Sequence, residues 1–198
     1  PGVFSIIHKG NISAGPFTNS EWDAPAALGT LPRDQKLFAD MVHYVGEPVA
    51  AIAASDRKTA LEAARAIIVE YEPLPGVFDP ERAMETDAPI VQEGSENNIA
   101  AHIEFPFGDW NLGFSEADYV IERRFKTSRQ KQTPMEPFTC VAQYDGEMLT
   151  IWSPNQTPHQ LRVKLADIFH LPVYKVRVIT PALGGGFGAR TGLVREPW

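Results

Sequence analysis

One cysteine, Cys140, stands in a chain of 198 residues. A lone thiol makes no disulfide framework, and it falls short of the ~4 thiolates that hold an iron–sulfur cluster. It fits a reducing compartment, so the expected location is cytoplasmic. Basic residues are also scarce: 18 Lys and Arg against 25 Asp and Glu leave a net charge of −7. A nucleic-acid binder needs a basic footprint, and this composition argues against one. No apolar run approaches the ~20 residues of a membrane helix. The N-terminus lacks the basic stretch and apolar segment of a signal peptide. The five histidines, His8, His43, His102, His159 and His170, have no zinc-like spacing with cysteine or acidic partners, and they read as structural or surface residues. No Gly-x-Ser-x-Gly elbow supports a hydrolase triad.

The remaining composition is that of a folded protein. A hydrophobic share of 43% separates it from disordered chains, and 15 Gly with 17 Pro favour several short elements over a helical bundle. The length suits one large domain or two small ones. Residues 1–33 read as loop after an opening strand at 2–7, with Asn19, Ser20, Asp23, Pro25, Gly29 and Pro32 breaking regular structure. Strands are expected at 41–45 and 49–54, the latter buried on both faces, with a turn at Gly46. Ser55-Asp56 offers an N-cap for a helix over 57–66, and the apolar residues Ala60, Leu61, Ala64 and Ile68 follow helical spacing. A strand is expected at 67–71.

Residues 83–98 are acidic and polar and read as a linker. Extended structure restarts at 99–108, followed by a short turn at 115–118 and a strand at 119–125. Residues 138–144 and 148–152 form an expected hairpin around Asp145-Gly146. A helix over 157–169 would bury Leu161, Leu165, Ile168 and Phe169, and a strand over 173–179 follows it.

Three segments could carry chemistry. The first is Gly184-Gly185-Gly186-Phe187-Gly188. So many glycines cost chain entropy, and they let backbone approach a ligand and cradle an anion with successive N–H groups. A hinge or tight turn explains them equally well. The spacing is neither the dinucleotide fingerprint nor a Walker loop. The second is Ser153-Pro154-Asn155-Gln156-Thr157. Ser153, Asn155 and Thr157 are credible helix caps, but Gln156 is not explained by capping, and its amide can donate to an oxo group or accept from a substrate. The third is Pro134-Met135-Glu136-Pro137, a carboxylate on a stiff loop, suited to a base, an ion-pair partner or a structural acceptor. Arg123, Arg124, Lys126, Arg129 and Lys131 make a local basic stretch, either a solvated face or a contact with an acidic partner.

In order along nearly the whole chain, these segments resemble the molybdenum-cofactor subunit of the xanthine dehydrogenase/aldehyde oxidase family. Residues 42–50 and 60–75 resemble the family's hammerhead-like domain. Asn98-Ile99, Gly108-Asp109 and residues 114–122 are similar to its exit into the cofactor domain. Pro134-Met135-Glu136-Pro137, Gln156 and the glycine run resemble the blocks that follow. The implied fold is α+β: a hammerhead-like α/β domain over 1–90, then the first part of a molybdopterin-binding α+β domain over 99–198. The implied cofactor is molybdopterin, plain or as its cytosine dinucleotide, with molybdenum held by the pterin dithiolene and not by protein ligands. Iron–sulfur clusters and FAD would lie on partner chains or domains.

The resemblance also implies roles and gaps. Gln156 would hydrogen-bond an oxygen on molybdenum, Phe187 and Gly188 would place backbone beside the cofactor, and Gly184, Gly185 and Gly186 would permit the close approach. The implied activity is oxidation or hydroxylation of an aldehyde or aromatic heterocycle, with water as oxygen source. Thr191 stands near where purine-oxidising members often carry a glutamate, and Gln132 where many carry a histidine. The family's catalytic glutamate has no match here. The expected chain is therefore a piece whose start lies inside the first domain and whose remaining cofactor-binding segment lies elsewhere. Expected partners are that segment, an iron–sulfur subunit and an FAD subunit. The rival reading is a non-catalytic binding or assembly module.

Overall fold

The computed structural model describes residues 1–12, 15–17, 33, 35–99, 102, 104 and 107–193. Most of the expected loop over 13–34, with Asn19, Ser20, Asp23, Pro25, Gly29 and Pro32, lies outside the described residues, as does about half of the expected extended segment at 99–108. Near the start, β1 (Val3–His8) pairs antiparallel with β2 (Ala50–Ala54), with an irregularity between Val3 and Ser5. Helix α1 (Arg57–Ala66) follows at once. Asp56 caps it as expected: its carboxylate accepts from the Thr59 N–H at 3.0 Å and the Thr59 hydroxyl at 2.7 Å. The alanines of β2 are only half-buried for the most part, not enclosed on both faces, because its sheet has two strands alone.

Those bonds to Asp56, with the Ser55 hydroxyl, hold its carboxyl below the usual carboxylate range. A depressed folded pKa stabilises the fold above the unfolded value of about 3.9, and this contribution is lost as pH falls through the folded value. Thermal melts at falling pH should show a shallower acid loss for Asp56→Asn than for the parent chain. Equal acid slopes would remove Asp56 from that transition.

In chain order, α2 (Pro80–Ala83) and α3 (Trp110–Glu116) come between the strands of the first sheet and those of the second. The expected linker over 83–98 is tied by Asn98, whose amide donates to the carbonyls of Ala83 and Pro89 and accepts from the Val91 N–H. The basic stretch finds intramolecular partners: Arg124 pairs with Glu81, and Lys126 with Asp79 at 3.2 Å. Three expected strands, at 41–45, 67–71 and 119–125, are absent. Their β-branched and aromatic residues favour extension, but a strand exists only where another edge satisfies its N–H and C=O groups. No described residue pairs with them. The turn at Gly46 does form, with the Glu47 N–H on the Tyr44 carbonyl at 3.2 Å.

The second sheet has the order β3 (Val141–Tyr144), β4 (Leu149–Trp152), β5 (Val176–Ile179). The hairpin turns at Asp145, which accepts from the N–H groups of Glu147 and Met148. β4 and β5 run parallel, and a parallel pair needs a crossover, which α4 (Pro158–Ile168) supplies. Leu149 and Ile151 alternate inward on β4, Val176 faces them on β5, and Leu161, Leu165 and Ala166 form the buried stripe of α4. Phe17 and Leu193 close this core. Two expectations shift. The first residues of the strand over 173–179 form a 3-10 turn (Val173–Lys175). Phe169 caps α4 and is half-exposed, because the helix ends before it can turn inward. No helix among the described residues is long and apolar enough to cross a membrane.

Candidate functional site

The C-terminal ends of β4 and β5 bring the three chemistry-bearing segments together. β4 ends at Trp152 and leads through Ser153, Pro154 and Asn155 to Gln156, just before α4. β5 ends at Ile179 and leads to the glycine run. Parallel neighbours release their chains at one end of a sheet, and open α/β sheets gather ligands there.

Gln156 sits at the meeting point. Its Oε1 accepts from the Gly188 N–H at 3.0 Å and the Arg190 N–H at 3.4 Å, while its own N–H donates to the Arg190 carbonyl at 2.8 Å. Two N–H donors on one side require the amide oxygen there, so the Nε2 donors must face the other way. Nε2 makes no hydrogen bond with any described residue, and Gln156 is exposed. The outcome is an oriented donor with its orientation set by backbone.

The glycine run wraps this amide. A Cβ on Gly186 would stand 2.4 Å from Gln156 Cδ and 2.5 Å from its Oε1, so only glycine permits the approach. A Cβ on Gly184 would meet Glu136, and one on Gly185 the Phe187 ring. Gly188 adopts φ +84°, and Phe187, at φ +52°, precedes it in the same left-handed region. The N–H groups of Gly185, Gly186 and Phe187 make no hydrogen bond with any described residue. Successive unspent N–H groups beside a free amide donor are suited to acceptor oxygens. All six expected residues, Gln156, Gly184, Gly185, Gly186, Phe187 and Gly188, are thus brought to one place.

The caps resolve differently from expectation. Thr157 occupies the N-cap position of α4 without capping it by its side chain. Its hydroxyl accepts from the Gly192 N–H at 2.7 Å instead, and the buried Asn155 amide donates to the Gly192 carbonyl at 2.9 Å. Both residues therefore clasp the chain just after the glycine run. Glu136 accepts from the Gly184 N–H at 2.7 Å, which makes it a structural acceptor at the loop's entry. Arg190 was not singled out by its sequence context, yet it is buried beside Glu136. The one available signal was the unplaced charge requirement of Glu136. Burial pushes the Cys140 thiol up, away from the reactive thiolate. No cluster of metal-ligating side chains occurs among the described residues.

Comparison with known proteins gives two family matches. Residues 91–197 match a molybdopterin cofactor-binding domain, and residues 1–75 match the a/b hammerhead domain of aldehyde oxidase and xanthine dehydrogenase. The probable hypoxanthine oxidase of Escherichia coli (strain K12) is 32% identical over 231 residues, covering 99% of this chain and 24% of that protein. The nicotinate dehydrogenase large molybdopterin subunit of Eubacterium barkeri is 36% identical over 168 residues, covering 84% of this chain and 39% of that subunit. Among solved structures, quinoline 2-oxidoreductase from Pseudomonas putida 86 superposes with a TM-score of 0.84 at 29% identity, over 99% of this chain and 25% of that one. The chain thus spans well under half the length of each of these relatives.

Proposed function

Because the chain belongs to the aldehyde oxidase and xanthine dehydrogenase family and carries its molybdopterin cofactor-binding domain, we propose that it forms one wall of the cofactor site in a molybdenum hydroxylase. The substrate class is an aldehyde or an aromatic heterocycle, oxidised with oxygen from water. We place the hammerhead-like unit at 1–90 and the cofactor-binding unit at 99–198. Electrons leave through iron–sulfur clusters and FAD on partner chains, and the cofactor is molybdopterin or its cytosine dinucleotide. The partners are those two subunits and the remaining cofactor-binding segment, all in the cytoplasm.

The observation that carries this reading is the Gln156 amide, with its oxygen spent on two backbone N–H groups and its donors unspent. Molybdopterin fits that donor set. Nε2 and the free N–H groups of Gly185, Gly186 and Phe187 would hold it by donating to its acceptor oxygens. When bound, it supplies the two-electron redox chemistry. This chain's own part is to orient one donor, to present backbone without side-chain bulk, and to hold that geometry rigid.

The test is Gln156→Ala in the full-length enzyme, purified with its partners. Turnover per molybdenum should fall by about a hundredfold, the range of losing one preorganised donor. The melting temperature should change little, because the Gly188 N–H that loses its acceptor lies at an exposed residue and the bond lost by the Arg190 N–H is the longer of the two, at 3.4 Å. Full turnover with a large loss of melting temperature would make Gln156 a structural residue. Wild-type enzyme that carries no molybdenum would instead favour the assembly-module reading.

A further inference from the structure

Arg190 heads the described residues in volume among fully buried side chains, with 1% exposure. A guanidinium is costly to take out of water unless its donors are matched. Here four contacts converge on its two terminal nitrogens from two other segments, while Nε is buried with no hydrogen-bond partner among the described residues. Nη1 lies 3.1 Å from Glu136 Oε2 and donates to the Pro154 carbonyl at 3.4 Å. Nη2 donates to the Glu136 carbonyl at 2.5 Å and the Pro137 carbonyl at 3.2 Å. Its Cζ sits 4.8 Å over the Phe138 ring. The same carboxylate oxygen, Glu136 Oε2, accepts the Gly184 N–H.

One glutamate therefore holds Gly184, at the start of the glycine run, by its N–H and Arg190, two residues past its end, by its side chain. Between them, Gln156 takes the N–H groups of Gly188 and Arg190. An apolar side chain at 190 would fill the same space at lower desolvation cost, since a buried ion pair gives little net stability against a hydrophobic replacement. It could not hold a carboxylate and three carbonyls at fixed spacing. What the pair supplies is geometry.

We propose that the Glu136–Arg190 pair is a positioning device that sets the span of residues 184–190 and thereby aims the Gln156 amide donor. This rests on the reading of Gln156 as a cofactor-facing donor, but the brace itself can be tested without cofactor. Neither Glu136 nor Arg190 touches the reacting groups; both act through Gln156. Arg190→Lys keeps the charge but loses the planar fork that reaches several acceptors, so it should not restore the geometry.

The experiment measures amide hydrogen exchange in the cofactor-free full-length protein, for the parent chain, Glu136→Gln, Arg190→Lys and Arg190→Met. Exchange of the hydrogen-bonded N–H groups of Gly188, Ala189 and Arg190 should quicken by about tenfold or more in all three variants, while α4 over 158–168 stays protected, as expected of a local opening. Glu136→Gln keeps an amide acceptor for Gly184 and is the mildest change, so it decides the matter where the Arg190 variants do not fold. In loaded enzyme, kcat per molybdenum should fall in Glu136→Gln with KM unchanged. Unaltered exchange of these three groups in Glu136→Gln overturns the proposal, as does equal quickening across α4. Unchanged kcat per molybdenum also overturns it. Local quickening in a protein that never binds molybdenum would leave the brace standing and sink the cofactor reading alone.

Discussion

Gly186→Ala is expected to lower the molybdenum content of the full-length enzyme by about tenfold, the effect of overpacking a tight site by the usual 1–3 kcal/mol. The added methyl has no free space. It would stand 2.4 Å from Gln156 Cδ and 2.8 Å from its Cγ. A flexible amide could ordinarily swing away. This one is held by the N–H groups of Gly188 and Arg190, so moving it unties both. The variant thus reads as a displaced Gln156, and a double-mutant cycle can say so. Gln156→Ala removes Cγ, Cδ and the amide, hence the clash. The double variant Gly186→Ala with Gln156→Ala should hold as much molybdenum as Gln156→Ala alone, a strong departure from additivity. Additive losses would mean that the methyl meets something other than Gln156.

Gly188→Val tests a different cause. The nearest atom to a Cβ there is Gln132 Nε2 at 4.0 Å, so the site is open on the protein side. Backbone at φ +84° is what a β-branched residue cannot adopt cheaply. The two glycines sit two residues apart, yet one is required by a neighbouring side chain and the other by its own dihedral angle.

What could be read before the structure was whatever is decided locally. The β4–α4–β5 unit is legible because Leu149 and Ile151 alternate, and Leu161 and Leu165 repeat at helical spacing, over some thirty residues that pack on one another. Asp56 is legible because a cap is settled within three residues. The strands expected at 67–71 and 119–125 fail for the opposite reason: extension is a local preference, but pairing depends on an edge that local sequence does not name. Of α3, local sequence shows only a turn at its end. Its seven residues hold one apolar i, i+4 pair, too short a pattern to mark a helix. It forms on the Asp109 cap, with Trp110 and Phe114 in edge contact at 6.0 Å. The same divide runs through the site. Gln156 and the glycine run carry their signal in adjacent residues. Arg190 does not, since an arginine after glycines reads as exposed, and its burial is decided by Glu136 and Pro137, more than fifty positions away. Thr157 and Asn155 have the local chemistry of caps, and only the distant Gly192 reveals that they fasten the loop.

Leu165→Ala should give the largest stability loss of any single change considered, about 2–5 kcal/mol by the usual cost of truncating an enclosed leucine. Leu165 is 1% exposed and lies within the cluster of Leu149, Ile151, Leu161, Val176 and Leu193. The cluster couples fold to site. Ile151 lies on the strand that leads to Gln156, Leu165 on the helix that leaves it, and Leu193 follows the loop clasped at Gly192. A cavity at Leu165 therefore loosens the base on which both walls of the site stand. Val163, on the same helix and 55% exposed, is the control: Val163→Ala should stay within about 0.5 kcal/mol of the parent. Urea unfolding of the full-length protein would read both. Similar midpoints for the two variants would show that α4 does not pack through its Leu161–Leu165 stripe. A lower midpoint for Leu165→Ala, with cofactor loss that recovers on cooling, would tie occupancy of the site to the integrity of this core. Cofactor binds only the folded state, so a destabilised core must weaken its retention once the unfolded fraction becomes appreciable.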